Sequence, residues 1–241
     1  MSDATFDILI LIARPASGKS EVIDYLKRVP AAERIRRFHV GHLREIDDFP
    51  MLWAWFEEDD ILERLGRPRL HTDADGYFKD DTLWHVLIER VSLEHHKLLR
   101  DHPDLYDDHT VLIEFSRGAQ HGGYREAFPH LSPEILSRAA VLYIEVTYEE
   151  SLRKNRRRFN PDRPDSILQH ALPDAKLERL YKEDDFRAFS AADPAWLTVN
   201  GIHVPYVVFE NHDDVTTGRP DQLGERLEAR LGTLWELVLR R

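Results

Sequence analysis

Apolar residues in this chain are gathered into short runs, and between the runs they return every three or four positions. The runs 6–13, 37–40, 110–115, 141–147 and 205–210 are nearly continuous instead of alternating, the pattern of strands covered on both faces. The second of them, Arg-Phe-His-Val, is the least apolar. Helical periodicity fills the stretches 19–29, 50–65, 80–99, 132–139, 149–159, 175–190 and 221–240. In the first, Val22, Ile23, Leu26 and Val29 share a side, the stripe a helix needs to lie on a sheet. Alternation of this kind predicts an α/β fold in three layers: a parallel sheet with right-handed crossovers, helices on both faces, and ligand binding beyond the carboxyl ends of the strands. No internal repeat is present. The proline- and charge-rich stretch 160–174 interrupts two helices and reads as a flap. The expectation is one domain over 1–241 with a lid segment at about 149–176.

Composition narrows the function classes. The 241 residues are 42% hydrophobic and 32% charged with no biased tract, an ordinary globular balance. Lys and Arg number 33 against 44 Asp and Glu, a formal charge of -11, so the mean field repels nucleic acid and anionic lipid, and an anionic ligand needs a local basic pocket. The absence of Cys removes disulfides, thiolate nucleophiles and Cys-ligated zinc, and points to the cytoplasm. Apolar runs such as 8–13 are far short of the roughly 20 residues of a membrane span. The expectation is a cytoplasmic protein without a membrane partner, with nucleic acid disfavoured and self-association left open.

The strongest chemical signal is ARPASGKS, Ala13, Arg14, Pro15, Ala16, Ser17, Gly18, Lys19 and Ser20, between an apolar strand and an amphipathic helix. In that setting successive backbone N–H groups and a helix N-terminus wrap the β-phosphate of a nucleotide. Lys19 reaches the β and γ oxygens, and the Ser20 hydroxyl ligates Mg²⁺. Gly18 allows the close backbone approach that a side chain would block. The full pattern G-x-x-x-x-G-K-[ST] opens on glycine, where this chain has Ala13.

A metal-assisted phosphate site also needs an acid at the end of a neighbouring strand, and TVLIEFSRG offers Glu114, with Ser116 and Arg117 at the same strand end. Arg117 is a candidate holder of the transferring or acceptor group. The segment SLRKNRRRF sets Arg153, Arg156 and Arg157 on one side of a helix, a lid whose guanidinium groups would clamp phosphate oxygens. Glu149 and Glu150 lie one turn before Arg153 and Lys154, so part of this charge is surface pairing. The region after the second predicted strand, HLREIDDFPMLWAWF, is dense in acids and aromatics. His42, Arg44, Glu45 and Asp47 are candidates to orient or deprotonate a hydroxyl, and Trp53 to stack on a planar substrate. The histidine pairs His39/His42 and His95/His96 lack an accompanying metal motif, and no zinc is assigned.

With these elements in order the chain resembles the P-loop kinases, in particular the nucleoside and nucleotide kinase branch with its arginine-rich lid. The resemblance implies a five-stranded parallel sheet in the order 2-3-1-4-5, ATP and Mg²⁺ as cofactors, and a general-base acid after the second strand, where Glu45 lies. It also implies an asparagine in the loop beside the adenine ring, where Asn211 stands. The function so implied is transfer of the γ-phosphoryl group of ATP to a small-molecule acceptor, nucleoside- or nucleotide-like. Two alternatives are a nucleotide-dependent switch without transferase activity, in which bound nucleotide orders the flap, and a polynucleotide end kinase.

Overall fold

The computed structural model describes residues 5–158 and 172–241. The chain runs β1 (Ile8–Ala13), α1 (Lys19–Arg28), α2 (Ala31–Phe38), β2 (His42–Asp47), α3 (Phe49–Arg64), α4 (Thr82–Asp101), β3 (His109–Phe115), α5 (Gly123–Ala127), α6 (Pro133–Arg138), β4 (Ala139–Glu145), α7 (Tyr148–Arg158), α8 (Asp174–Tyr181), α9 (Phe186–Phe189), β5 (Trp196–Val199), β6 (Ile202–Glu210) and α10 (Pro220–Val238). Among the described residues the strands form one six-stranded sheet in the order β2-β3-β1-β4-β6-β5. β2, β3, β1, β4 and β6 are parallel, and β5 pairs antiparallel on β6 at the far edge. The α/β fold with helices on both faces is therefore present, and the expected five-stranded parallel sheet is its core. The correction is the added edge strand, four residues long and joined to β6 by a tight Asn200-Gly201 turn with both residues at positive φ.

Side chains alternate along β1. Ile8, Ile10 and Ile12 enter one core with Val111, Ile113 and Phe115 of β3, covered by Ile88 and Val91 of α4 and by Ile135 and Phe186. Leu9, Leu11 and Ala13 enter the other, with Leu112 and Leu142, covered by Val22 and Leu26 of α1 and Leu223, Leu227 and Leu231 of α10. The near-continuous apolar runs are what two covered faces require.

The expected second strand at 37–40 is corrected: those residues end α2 and the turn after it, and the strand follows at His42–Asp47. The cause is the edge position. β2 has a neighbour on one side only, and His42, Arg44 and Glu45 are exposed, so it carries no apolar run; polar side chains also blunt a free edge. α2 is fixed by Arg34, whose buried guanidinium donates to the carbonyls of Leu26, Val29, Val40 and Gly41.

After α3 the chain returns through a loop held by one buried carboxylate. Asp59 accepts the amides of Leu70 (2.6 Å), His71 (3.1 Å) and Thr72 (2.6 Å) and the Thr72 hydroxyl (2.6 Å). Burial alone would raise its proton affinity, but these donors outweigh burial and bring its pKa to about 2. Asp59→Ala leaves buried donors unanswered and is expected to cost about 1–3 kcal/mol, read as a lower midpoint in urea unfolding. No helix among the described residues is long and apolar enough to cross a membrane. Residues 159–171, most of the stretch expected to form a flap, lie outside the described residues.

Candidate active site

The loop between β1 and α1 opens at the carboxyl edge of the sheet. Ala13 ends β1 inside the core, with its methyl group in the packed cluster under α1, which explains why alanine serves at a position where the pattern has glycine. The turn then uses positive φ at Ala16 (57°) and at Gly18 (106°). A β-carbon on Gly18 would lie 2.7 Å from the Thr216 hydroxyl and 3.0 Å from Asn211 Nδ2. Gly18→Ala is therefore expected to cost about 1–3 kcal/mol in strain and clash, measured as a lower Tm together with weaker binding of an ATP analogue. Among the described residues the amides of Ala16, Ser17, Gly18, Lys19 and Ser20 donate to no carbonyl, and the buried Ser17 hydroxyl has no partner. Such a concavity of unanswered donors at a helix N-terminus fits the phosphates of a nucleotide.

The loop forms one wall of a cavity of about 570 Å³. Lys19 Nζ donates to Ser116 Oγ (2.7 Å) at the end of β3. Asp47 and Glu114 are register partners at the carboxyl ends of β2 and β3, and both line the cavity. Burial, with Glu114 and Asp48 close by, pushes Asp47 up to about 8, against the opposing pull of the Phe49 amide and Lys19. Burial also raises Glu114, with Lys19 opposing and Asp48 and Glu45 adding to the rise. Both acids are half-buried with raised proton affinity, and a cation bound beside them would ease their ionisation. Among the described residues no three His, Cys, Asp or Glu groups gather to hold a metal alone, so Mg²⁺ would need the Ser20 hydroxyl, phosphate oxygens and water besides these acids.

Beside them lies a buried ion pair. Arg117 donates to Asp48 (2.6 Å), to the Ser116 carbonyl (2.7 Å) and to the Trp84 carbonyl (3.1 Å), and its guanidinium lies 5.2 Å from the Trp84 ring. Trp84 in turn stacks on His121 with centroids 4.1 Å apart. Phe49, Leu52 and Tyr181 complete the apolar part of the wall.

α7 is tied to the glycine-lysine-serine loop at two points. Ser151 Oγ donates to the Pro15 carbonyl (2.7 Å). Buried Lys154 bonds Thr216 Oγ1 (2.9 Å) and Asp214 (2.6 Å), and Thr216 meets Asn211, whose amide also donates to the Ser17 carbonyl (2.9 Å).

Of the residues expected from sequence, the cavity brings together Pro15, Ala16, Ser17, Gly18, Lys19, Ser20, Asp47, Glu114, Arg117 and Arg157. It does not bring in Ala13, Arg14, Glu45, His42, Arg44, Trp53, Arg153, Arg156 or Asn211. Arg14 turns away to the carbonyls of Tyr181, Val146 and Lys182 and to Asp184, a structural clasp. Glu45 pairs with Lys27 (2.7 Å) on the outer edge. His42 and Arg44 sit at the start of β2, the end of the sheet away from the cavity, because the strand begins where the loop after it was expected. Trp53 bonds Glu57 and leans on Phe49. Arg153 is held by Glu150 and Asp214, and Arg156 by Asp174. Asn211 is fully buried as a brace of the loop, not a surface beside an adenine ring. Sequence reasoning assigned no role to Asp48, Trp84 or Tyr181. An acid directly after Asp47 was a readable signal, whereas the ring contact of Trp84 with His121 across 36 intervening residues was not.

No family model and no curated protein sequence matches the chain. Among solved structures it is similar to a sugar kinase from Janibacter sp. HTCC2649, with 15% identity over 94% of this chain and 95% of that one and a TM-score of 0.40. It is similar also to shikimate kinase from Bacteroides thetaiotaomicron, with 14% identity over 96% and 99% and a TM-score of 0.43. A third likeness is TT1252 from Thermus thermophilus, with 16% identity over 98% of each chain and a TM-score of 0.46. At these levels the geometry of the cavity itself carries the functional reading.

Proposed function

We propose that this protein is an ATP-dependent phosphotransferase that moves the γ-phosphoryl group to a hydroxyl of a small molecule. The observation that carries this reading is one cavity with chemically opposite linings: unanswered amides and Lys19, and the half-buried acids Asp47 and Glu114. The triphosphate lies in the concavity, and Lys19 exchanges Ser116 for its oxygens. Ser20 and Glu114 would hold Mg²⁺, which when bound neutralises the phosphate oxygens. Asp47 accepts the proton of the attacking hydroxyl as its oxygen bonds to the γ-phosphorus and the bond to the ADP oxygen breaks. Asp48, anchored by Arg117, orients that hydroxyl. Arg157, which lines the cavity from α7 with its guanidinium bonded to Thr217 (3.2 Å), would exchange that partner for charge on the transferring group.

The test is incubation of the protein with γ-labelled ATP, Mg²⁺ and a panel of nucleosides, nucleotides, sugars and amino sugars. Label is expected in an acceptor product. Hydrolysis at one rate whatever the acceptor would reject transfer and support a nucleotide-dependent switch.

A further inference from the structure

We propose that Ser151 and Asn211 are positioning residues of the phosphate cradle, each fixing one peptide plane of the loop so that its amide hydrogen meets a phosphate oxygen. This deepens the phosphotransferase reading and rests on it.

A trans peptide is planar, and its C=O and N–H point in opposite directions. Whatever holds the carbonyl of one residue therefore aims the amide of the next. In the loop after β1 two carbonyls are held from outside the cavity. The Pro15 carbonyl accepts the Ser151 hydroxyl of α7 (2.7 Å), and the Ser17 carbonyl accepts Nδ2 of Asn211, the residue after β6 (2.9 Å). Ser151 and Asn211 are fully buried and do not line the cavity, whereas Pro15, Ala16, Ser17 and Gly18 do. The two planes thus turn the Ala16 and Gly18 amides away from their anchors, and among the described residues neither amide donates to a carbonyl. The next plane, Gly18 to Lys19, needs no side chain, because the Gly18 carbonyl takes the Val22 amide (3.0 Å) in the first turn of α1.

The backbone conformation shows why anchors are needed. Ala16 follows the first anchored carbonyl at φ 57°, and Gly18 follows the second at φ 106°. Glycine enters the left-handed region freely, but an alanine there is strained and persists only where its surroundings over-determine it. The Ser151 bond is that restraint. Asn211 is itself fixed on three sides: its Nδ2 also donates to Thr216 Oγ1 (2.9 Å), its Oδ1 accepts the Thr216 amide (3.4 Å), and its own amide donates to the Glu145 carbonyl (2.8 Å). Amides aimed before the nucleotide arrives need no reorganisation when charge reaches them.

Amide proton and nitrogen spectra of the labelled protein, taken with and without Mg²⁺ and a non-hydrolysable ATP analogue, test this one peptide at a time. In the parent the Ala16 and Gly18 amide protons are expected to move downfield on binding, as charge-assisted hydrogen bonds form. Ser151→Ala should lose the shift at Ala16 and keep it at Gly18, and Asn211→Ala the reverse, each with about tenfold weaker binding of the analogue by calorimetry. Ser151→Thr, which keeps the hydroxyl, should restore both the Ala16 shift and the affinity. A merely structural role would lower Tm without this division between the two amides. Ser151→Ala removes a single oxygen atom and decides the proposal even if an Asn211 variant does not fold. An Ala16 shift and affinity unchanged in Ser151→Ala, or loss of both shifts in that variant, overturns the inference and leaves phosphoryl transfer standing. A parent protein in which neither amide moves at saturating analogue overturns the phosphotransferase reading and this inference with it.

Discussion

Lys19→Ala is expected to slow phosphoryl transfer by at least about 10²-fold while the protein stays folded. Lys19 is half-buried at the mouth of the cavity and packs in neither apolar core, so its loss opens no void, and the Ser116 hydroxyl it releases can turn to water. What the variant lacks is the ammonium group that would follow negative charge from the γ-phosphate to the ADP oxygen as the bond breaks. The lost contribution is greater at the barrier than in the bound state, so kcat should fall more than ATP affinity. The measurement is single-turnover transfer from γ-labelled ATP, paired with calorimetric binding of a non-hydrolysable analogue. Transfer within tenfold of the parent protein would remove Lys19 from the chemistry.

Asp47→Asn carries the second large expected effect, a loss of about 10²- to 10⁴-fold in turnover, because the amide cannot take a proton. The Phe49 N–H still finds an oxygen at that position, so the local turn survives. Because Asp47 is pushed up to about 8 by burial and neighbouring acids, the free enzyme carries its base mostly protonated at neutral pH. The parent kcat/KM should rise with pH through that value, and the rise should vanish in the variant. Stability runs the other way. The folded state holds this proton more tightly than the unfolded chain, whose carboxyl titrates near 3.8, so the folded state binds more protons between 3.8 and about 8 and stability falls as pH rises across that window. Asp47→Asn should therefore melt at a higher temperature than the parent at pH 8 and lose that advantage at pH 4. A variant equally active, or one less stable at pH 8, would show that Asp47 is not the proton acceptor in a charge-poor pocket.

How far the primary structure could be read depended on whether a segment is judged by its own pattern or by its neighbours. β1, β3, β4 and β6 lie between neighbours and under helices on both faces, so their apolar runs announce them. The glycine-lysine-serine loop is local chemistry on a strand-to-helix junction and was equally plain. β2 is an edge strand with polar side chains, and reading it five residues early shifted everything after it: His42, Arg44 and Glu45 looked like a ligand-facing loop when they are the strand itself. Asp47 survived this shift because it ends the strand. The basic helix misled in another way, since pairing depends on acids far along the chain. Asp214 answers Arg153 and Lys154, and no spacing along the sequence announces that contact.

The two anchors of α7 bear on how nucleotide would leave. Ser151 holds the Pro15 carbonyl, and Lys154 reaches the same loop through Thr216 and Asn211, so the first two turns of this helix are mortared to the phosphate cradle. Under the proposed function, pulling the helix away from its start would distort the turn at Gly18 and release the phosphates in the same movement, so that departure of the spent nucleotide and slackening of its grip would be a single event.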